Sequence, residues 1–338
     1  MSAVGGYVRG VQVVAAVDKF RGTATAAEVA AAIGHACWEA GHDCIEIPLA
    51  DGGEGLLDVL GGPNRRSVVT GPLGEPVEAA WRLHRGTATI EMALASGLVL
   101  AGGAEGNDPM EATTRGTGEL IDAALTAGAK RIIVGLGGSA TTDGGLGALR
   151  AIRSPARLRG VELLVACDVT TRFTDAARVF GPQKGATPAQ VRMLTGRLER
   201  LAGEYRDEYG VDVDEIEGSG AAGGIAGALA ALGGRLLPGV ELVADELGLH
   251  DALEVADLVI TGEGHLDRQS FEGKVVGGVA GLAADYGVRV AVVVGVADDD
   301  VRDRLPTWVL AERFGLEQAM REPLNCVELI VGDMLADA

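Results

Sequence analysis

Aromatic residues are scarce in this chain, 4% of 338 positions, so its core must be built from Ala, Val, Leu and Ile. Basic residues are short as well: 29 Lys and Arg face 48 Asp and Glu, a net charge of −19. A general nucleic-acid binder needs a basic face against the phosphate backbone, so that class is excluded. Any phosphate ligand must instead be held locally, by backbone N–H groups, a few Lys or Arg and Mg²⁺, because the overall field repels it. Only four cysteines occur (Cys37, Cys44, Cys167, Cys326), without CxxC spacing, and buried free thiols are the expectation. The longest apolar runs fall well short of the ~20 residues of a membrane span. Val11–Val17 is too short for a secretion leader, and a cytoplasmic protein is expected. No GxxxxGK[ST] occurs, which excludes a Walker-A enzyme.

Glycine is what the chain has in excess, 52 residues. Small aliphatics with many glycine turns point to alternating α/β structure, and the length suggests two domains. Val11–Val17 reads as a buried strand, Thr25–Ala40 as a helix with Val29, Ile33 and Cys37 on one face, and Cys44–Pro48 as a second strand. Gly41 closes that helix. Ser67–Val69, Val77–Leu83 and Thr87–Met92 read as an antiparallel meander. Further on, Asp257–Thr261 and Val288–Gly295 read as strands and Ala221–Leu232 as a small-residue helix. The expected fold is α/β with two domains: a doubly wound parallel-sheet domain at 1–66 and 236–338, and an inserted α/β domain carrying the meander at 67–235.

Five segments share one design, an apolar strand running into a glycine-rich loop with an acid: Asp18, Asp51, Asp143, Asp168 and Glu263. In open α/β sheets ligands sit at the carboxyl ends of strands, so several of these carboxylates are expected to converge. Each acid alone could be only a helix N-cap. Glycines let backbone N–H groups approach an anion closely, and acids among such loops invite Mg²⁺ and nucleotide phosphates, hence phosphoryl transfer. Lys19, Arg21, Lys184 and Lys274 are the basic residues placed to assist. Gly135–Ala140 matches the dinucleotide fingerprint, but Thr141–Gly145 intervenes where that motif needs its helix. Of the five histidines, only His265 falls near these loops.

At the same loops the chain resembles the type I glycerate kinase family. The matching blocks include DKFRGTATAAEVAAAI from Asp18, PLADGGEG from Pro48, EMALASGL from Glu91 and IIVGLGGSATTDGG from Ile132. VACDV from Val165, VFGPQKGATP from Val179, GSGAAGGIAGAL from Gly218 and DLVITGEGHLDRQSFEGK from Asp257 continue the series. The chain departs from the family pattern at Lys19 and Arg21 in the first block, at Thr170–Phe173 after CDV, and in a short segment after residue 150.

The resemblance implies a kinase that uses ATP and Mg²⁺ to phosphorylate D-glycerate, with 2-phosphoglycerate as the product. Another small hydroxy acid, or a relative that only binds, are the alternatives. Asp18, Lys19, Arg21, Asp51, Asp168 and Asp267 are the candidate catalytic residues. Gly137, Gly138, Ser139, Lys184, Gly262, Gly264 and Lys274 are the candidates for nucleotide or phosphate, and Asp51 and Glu263 for the metal. The expected partner is glycerate, with no nucleic acid and no membrane; a homodimer stays open.

Overall fold

The computed structural model describes residues 10–336; the absence of a leader, read from the sequence, falls on residues outside that range. The chain divides into two compact units, one running to Ala50 and resuming at Val243, the other being Asp51–Leu242. In chain order the strands are β1 (Gln12–Val17), β2 (Asp43–Glu46), β3 (Arg65–Thr70), β4 (Pro76–His84), β5 (Thr87–Glu91) and β6 (Arg131–Gly135). They continue with β7 (Glu162–Ala166), β8 (Arg235–Leu237), β9 (Leu258–Leu266), β10 (Arg289–Ala297) and β11 (Thr307–Val309).

The first unit holds a five-stranded sheet in the order β11-β10-β9-β1-β2, parallel at every pairing. A parallel sheet is covered on both faces, so its central strands are mostly apolar, while the edge strand β2, Asp-Cys-Ile-Glu, carries exposed acids at both ends. Val13 to Val17 are accordingly fully buried. Val13, Ala15 and Val17 pack with Val29, Ile33 and Cys37 of the helix Ala26–Glu39 and with Val327 and Ile330 of the helix Pro323–Ala336. Val292 and Val294 of β10 face the other way, against Val276 of the helix Val275–Tyr286. Burying each such aliphatic side chain contributes about 1.5–3 kcal/mol. The helix Ala26–Glu39 starts at a capping box: Thr25 Oγ accepts from the Glu28 N–H, and the Glu28 carboxylate accepts from the Thr25 N–H at 2.8 Å.

The second unit holds a six-stranded sheet in the order β3-β4-β5-β6-β7-β8. Its first three strands form the expected antiparallel meander, and β5 to β8 are parallel. Boundaries at 66/67 and 235/236 would cut through β3 and β8. Both strands pair within this second sheet, β3 with β4 and β8 with β7, and the units divide instead after Ala50 and after Leu242.

Two local readings change. The strand expected to end at Thr261 runs on to Leu266, because β10 is equally long and keeps pairing, Val294 with Glu263 and Val296 with His265. Glu263 therefore stands within a strand and not in a loop. The helix Ala221–Ala231 is broken near its start, with Ala222, Gly223 and Gly224 in left-handed conformation at φ 52°, 75° and 96°. A Cβ on Gly223 would run into the Thr141 carbonyl, and one on Gly224 would lie 2.9 Å from Gly144 Cα. Close approach of the two glycine segments forces the kink.

Candidate active site

The residues nominated by the sequence fall into two groups, one in each unit. In the first unit, Asp18, Lys19 and Arg21 follow β1, while Gly262, Glu263 and Gly264 lie in the neighbouring β9. The two strands touch directly here: the Asp18 N–H donates to the Gly262 carbonyl at 2.9 Å. Asp18 Oδ1 accepts from the Lys19 N–H at 2.7 Å. A Cβ on Gly264 would sit 3.1 Å from the Arg21 nitrogen, and one on Gly262 would overlap the Val293 carbonyl. Neighbouring backbone thus leaves no room for a side chain at Gly262 and little at Gly264.

Glu263 is 8% exposed, and its Oε1 has no hydrogen-bond partner. Burial pushes its carboxyl pKa up, with Asp267 adding to the rise, against the Ser270 hydrogen bond and the Lys274 charge. Asp267 caps the short turn Arg268–Phe271, its Oδ1 accepting from the Ser270 N–H at 3.0 Å. His265 Nε2 pairs with Asp298 Oδ1 at 2.9 Å on the surface. Lys274 stands at the N-cap of the helix Val275–Tyr286.

In the second unit, Asp51, Gly137, Gly138, Ser139, Asp168 and Lys184 gather at the carboxyl ends of β6 and β7. Asp51 Oδ1 accepts from the Gly53 N–H at 3.1 Å. A Cβ on Gly52 would lie 2.7 Å from Ala166 Cβ, and one on Gly137 2.9 Å from Gly53 Cα, so the DGGEG turn is pressed onto both strand ends. Asp168 Oδ1 accepts from the Gly239 N–H at 2.7 Å. Burial raises the Asp168 pKa to about 7, with Asp51 and Glu241 adding to the rise against the Gly239 hydrogen bond.

Lys184 is 3% exposed. Its Nζ donates to Ser139 Oγ and to the Thr141 carbonyl, each at 2.7 Å. Burial pulls its pKa down to about 7, opposed by Asp143. Gly137, Gly138, Ser139, Asp168, Val169 and Lys184 are among the residues that line one pocket.

Of the five acids, Asp143 does not join a ligand-facing group. Its carboxylate accepts from the N–H groups of Thr114, Gly145 and Gly147 and from Thr114 Oγ1, at 2.8–3.1 Å. The carboxylate is spent on local backbone: the helix Leu146–Ala151 has Gly145 at its N-cap, and Asp143, two residues earlier, reaches its first turn through the Gly147 N–H. Two positioning residues escape a reading of the sequence. Glu91 Oε1 accepts from the Gly55 and Leu57 N–H groups and ties down the DGGEG turn. Asn107 Nδ2 donates to the Ala140 and Lys184 carbonyls and clamps two loops together. Glu91 does carry a signal, because β5 ends in an acid as the five strand-loop segments do. Asn107, in a turn far along the chain from both partners, carries none.

Among the described residues, no three His, Cys, Asp or Glu side chains form a ready metal site. No helix there is long and apolar enough to cross a membrane. Cys37 and Cys326 are buried, Cys44 and Cys167 half-buried, and all four are free thiols.

Carboxylates at strand ends, glycine-rich turns and a buried lysine on one pocket define an α/β enzyme acting on anionic ligands. The chain matches the glycerate kinase family over residues 13–154 and 152–327. It is 41% identical to a glycerate 2-kinase of Escherichia coli K12 and 40% identical to a glycerate kinase of Bacillus subtilis 168. Each alignment covers 86% of this chain and 86% of the relative. A crystal structure from Salmonella typhimurium LT2, assigned as a glycerate kinase 2, superposes with a TM-score of 0.81 at 35% identity, covering 97% of this chain and 98% of that one. The chain belongs to the glycerate kinase family.

Proposed function

We propose that this protein is an ATP-dependent glycerate kinase, transferring the γ-phosphate of ATP to a hydroxyl of D-glycerate to give 2-phosphoglycerate. The relatives named glycerate kinase and glycerate 2-kinase support the substrate. On the protein itself, the observation that carries the reading is the second unit's pocket, where a buried lysine, a glycine turn and a carboxyl group share one cavity. Phosphoryl transfer asks little covalent chemistry of a protein; it needs positioning and charge stabilisation.

Asp51 and Asp168 in the second unit, and Asp18, Lys19, Arg21 and Asp267 in the first, are the groups proposed for the chemical step. Gly137, Gly138 and Ser139 offer backbone to an anion, as do Gly262 and Gly264, and Lys184 and Lys274 offer charge. Mg²⁺, when bound, neutralises phosphate oxygens. It is usually held by one or two carboxylates, with waters and phosphates completing the shell. Glu263 fits that role within the first unit: its Oε1 is buried and unpartnered, an arrangement a cation relieves. Asp51 is the corresponding candidate in the second unit.

A coupled ADP-release assay tests the reading. ADP release should require both D-glycerate and Mg²⁺. Release no faster than with ATP alone overturns the proposal, and turnover confined to another small hydroxy acid reassigns the acceptor.

A further inference from the structure

The pocket in the second unit has a volume of about 200 Å³. That suits a three-carbon acid and falls short of the ~300–1,000 Å³ of sites for drug-sized ligands, the scale of a nucleotide. Its polar lining groups differ in chemistry. Lys184 Nζ meets only neutral acceptors, Ser139 Oγ and the Thr141 carbonyl, which take two of its three protons. A buried ammonium lacking an ion-pair partner is costly, and a bound anion relieves that cost. Asp168 also lines the pocket, fixed through Oδ1 by the Gly239 N–H. Leu98, Leu136 and Phe180 add apolar surface to the lining.

We propose that this pocket is the acceptor site: Lys184 holds the carboxylate of the hydroxy acid, and Asp168 takes the proton from the hydroxyl that becomes phosphorylated. The proposal rests on the phosphotransfer reading and assigns Lys184 to the acceptor in preference to the nucleotide. In the step, the hydroxyl O–H bond breaks and its proton passes to the Asp168 carboxylate. The freed oxygen pair forms the new bond to the γ-phosphorus as the bond to the β,γ-bridging oxygen breaks. ADP leaves with that electron pair, and Asp168 later releases its proton to water. A small anion with a cation at one end and a base near its hydroxyl is the ligand this juxtaposition recognises.

The test compares Lys184→Met, Lys184→Arg, Asp168→Asn and Val169→Phe with the wild type, reading kcat and the KM of each substrate. Val169 lies on the pocket wall and is only partly buried, so a larger side chain there fills the pocket without opening the core. Lys184→Met should raise the D-glycerate KM by about 30-fold, the scale of a lost hydrogen bond to a charged group, with the ATP KM within about threefold. Lys184→Arg should recover part of the loss, and Val169→Phe should raise the D-glycerate KM alone. Asp168→Asn should lower kcat by about 10²-fold with little change in KM, within the range of acid–base groups.

An ATP KM that rises while the D-glycerate KM holds overturns the assignment in favour of nucleotide binding. Losses in kcat and both KM values together, without rescue by Lys184→Arg, reduce Lys184 to a structural pin. If the wild type shows no turnover, the phosphotransfer reading fails, and melting temperatures then judge the pocket. A rise with D-glycerate that Lys184→Met and Val169→Phe abolish sustains it, and no rise overturns it.

Discussion

Two glycine-rich runs, each with an acid among its glycines, behave differently in the two units. In the first unit, residues 261–266 remain a regular part of β9, paired with β10. In the second, residues 136–147 leave the sheet after β6 and coil around the Asp143 carboxylate. Their glycines serve different ends. In β9 the neighbouring backbone leaves no room for a Cβ at Gly262. After β6, Gly144 and Gly145 adopt φ 66° and 78°, a left-handed conformation that costs other residues about 1 kcal/mol or more. Glu263 is thus aimed by the alternation of a strand, and Asp143 is held by a set of hydrogen bonds.

The largest expected effect is on β9. Gly262→Ala forces a methyl into the Val293 carbonyl and should destabilise the protein by about 3 kcal/mol, read as a lower midpoint in urea. An unchanged midpoint would show that β9 yields and that the glycine serves a ligand. Asp143→Ala should cost a comparable amount, about 2–3 kcal/mol, because four donors lose their acceptor. Asp168→Asn should show the reverse signature: kcat down about 10²-fold with no loss of melting temperature. If Asp143→Ala spares stability but abolishes turnover, the division between scaffold acid and site acid is wrong.

The pH profile sharpens the contrast further. Asp168, raised to about 7 by burial with Asp51 and Glu241 adding to it, works as a base only above that value. Lys184, lowered to about 7 by burial against the pull of Asp143, loses its charge above the same value. The profile of kcat/KM for the acceptor should be a bell centred near pH 7. Lys184→Arg should flatten the alkaline limb, since a guanidinium stays charged; an alkaline limb that persists in this variant assigns it elsewhere.

The smallest effect concerns Glu263. A carboxyl whose folded-state pKa is raised favours its acid form, so stability is lost as pH rises from its ordinary 4.5 towards the raised value. Glu263→Gln removes that loss and should raise the melting temperature at pH 8 by about 2 °C, with the gain gone near pH 4. It should also weaken the Mg²⁺ dependence of turnover. A lower melting temperature at pH 8 would mean that the carboxylate is stabilised by a partner.

The strand-then-acid pattern makes Asp18 and Asp168 legible as strand-end acids, because a buried parallel strand is apolar and the first acid after it marks the sheet edge; Asp51 lies beyond the end of β2 at Glu46, and Glu263 lies inside β9. Thr25, Glu28 and Gly41 likewise mark out the helix between them. The same pattern misleads at Asp143, where local hydrogen bonding consumes the acid, and it conceals the true length of β9, which only its partner β10 sets. Residue types and their order along the chain therefore determined the α/β class, the meander and most of the acids, since these follow from short-range periodicity and steric preference. Only the tertiary structure decided that Lys184 is buried against Ser139 and Thr141, that Asn107 clamps its loop, and that β8 belongs to the second sheet. Each of those depends on segments distant in sequence meeting in space, and burial, which sets the charge state of a lysine or an aspartate, exists only once they have met.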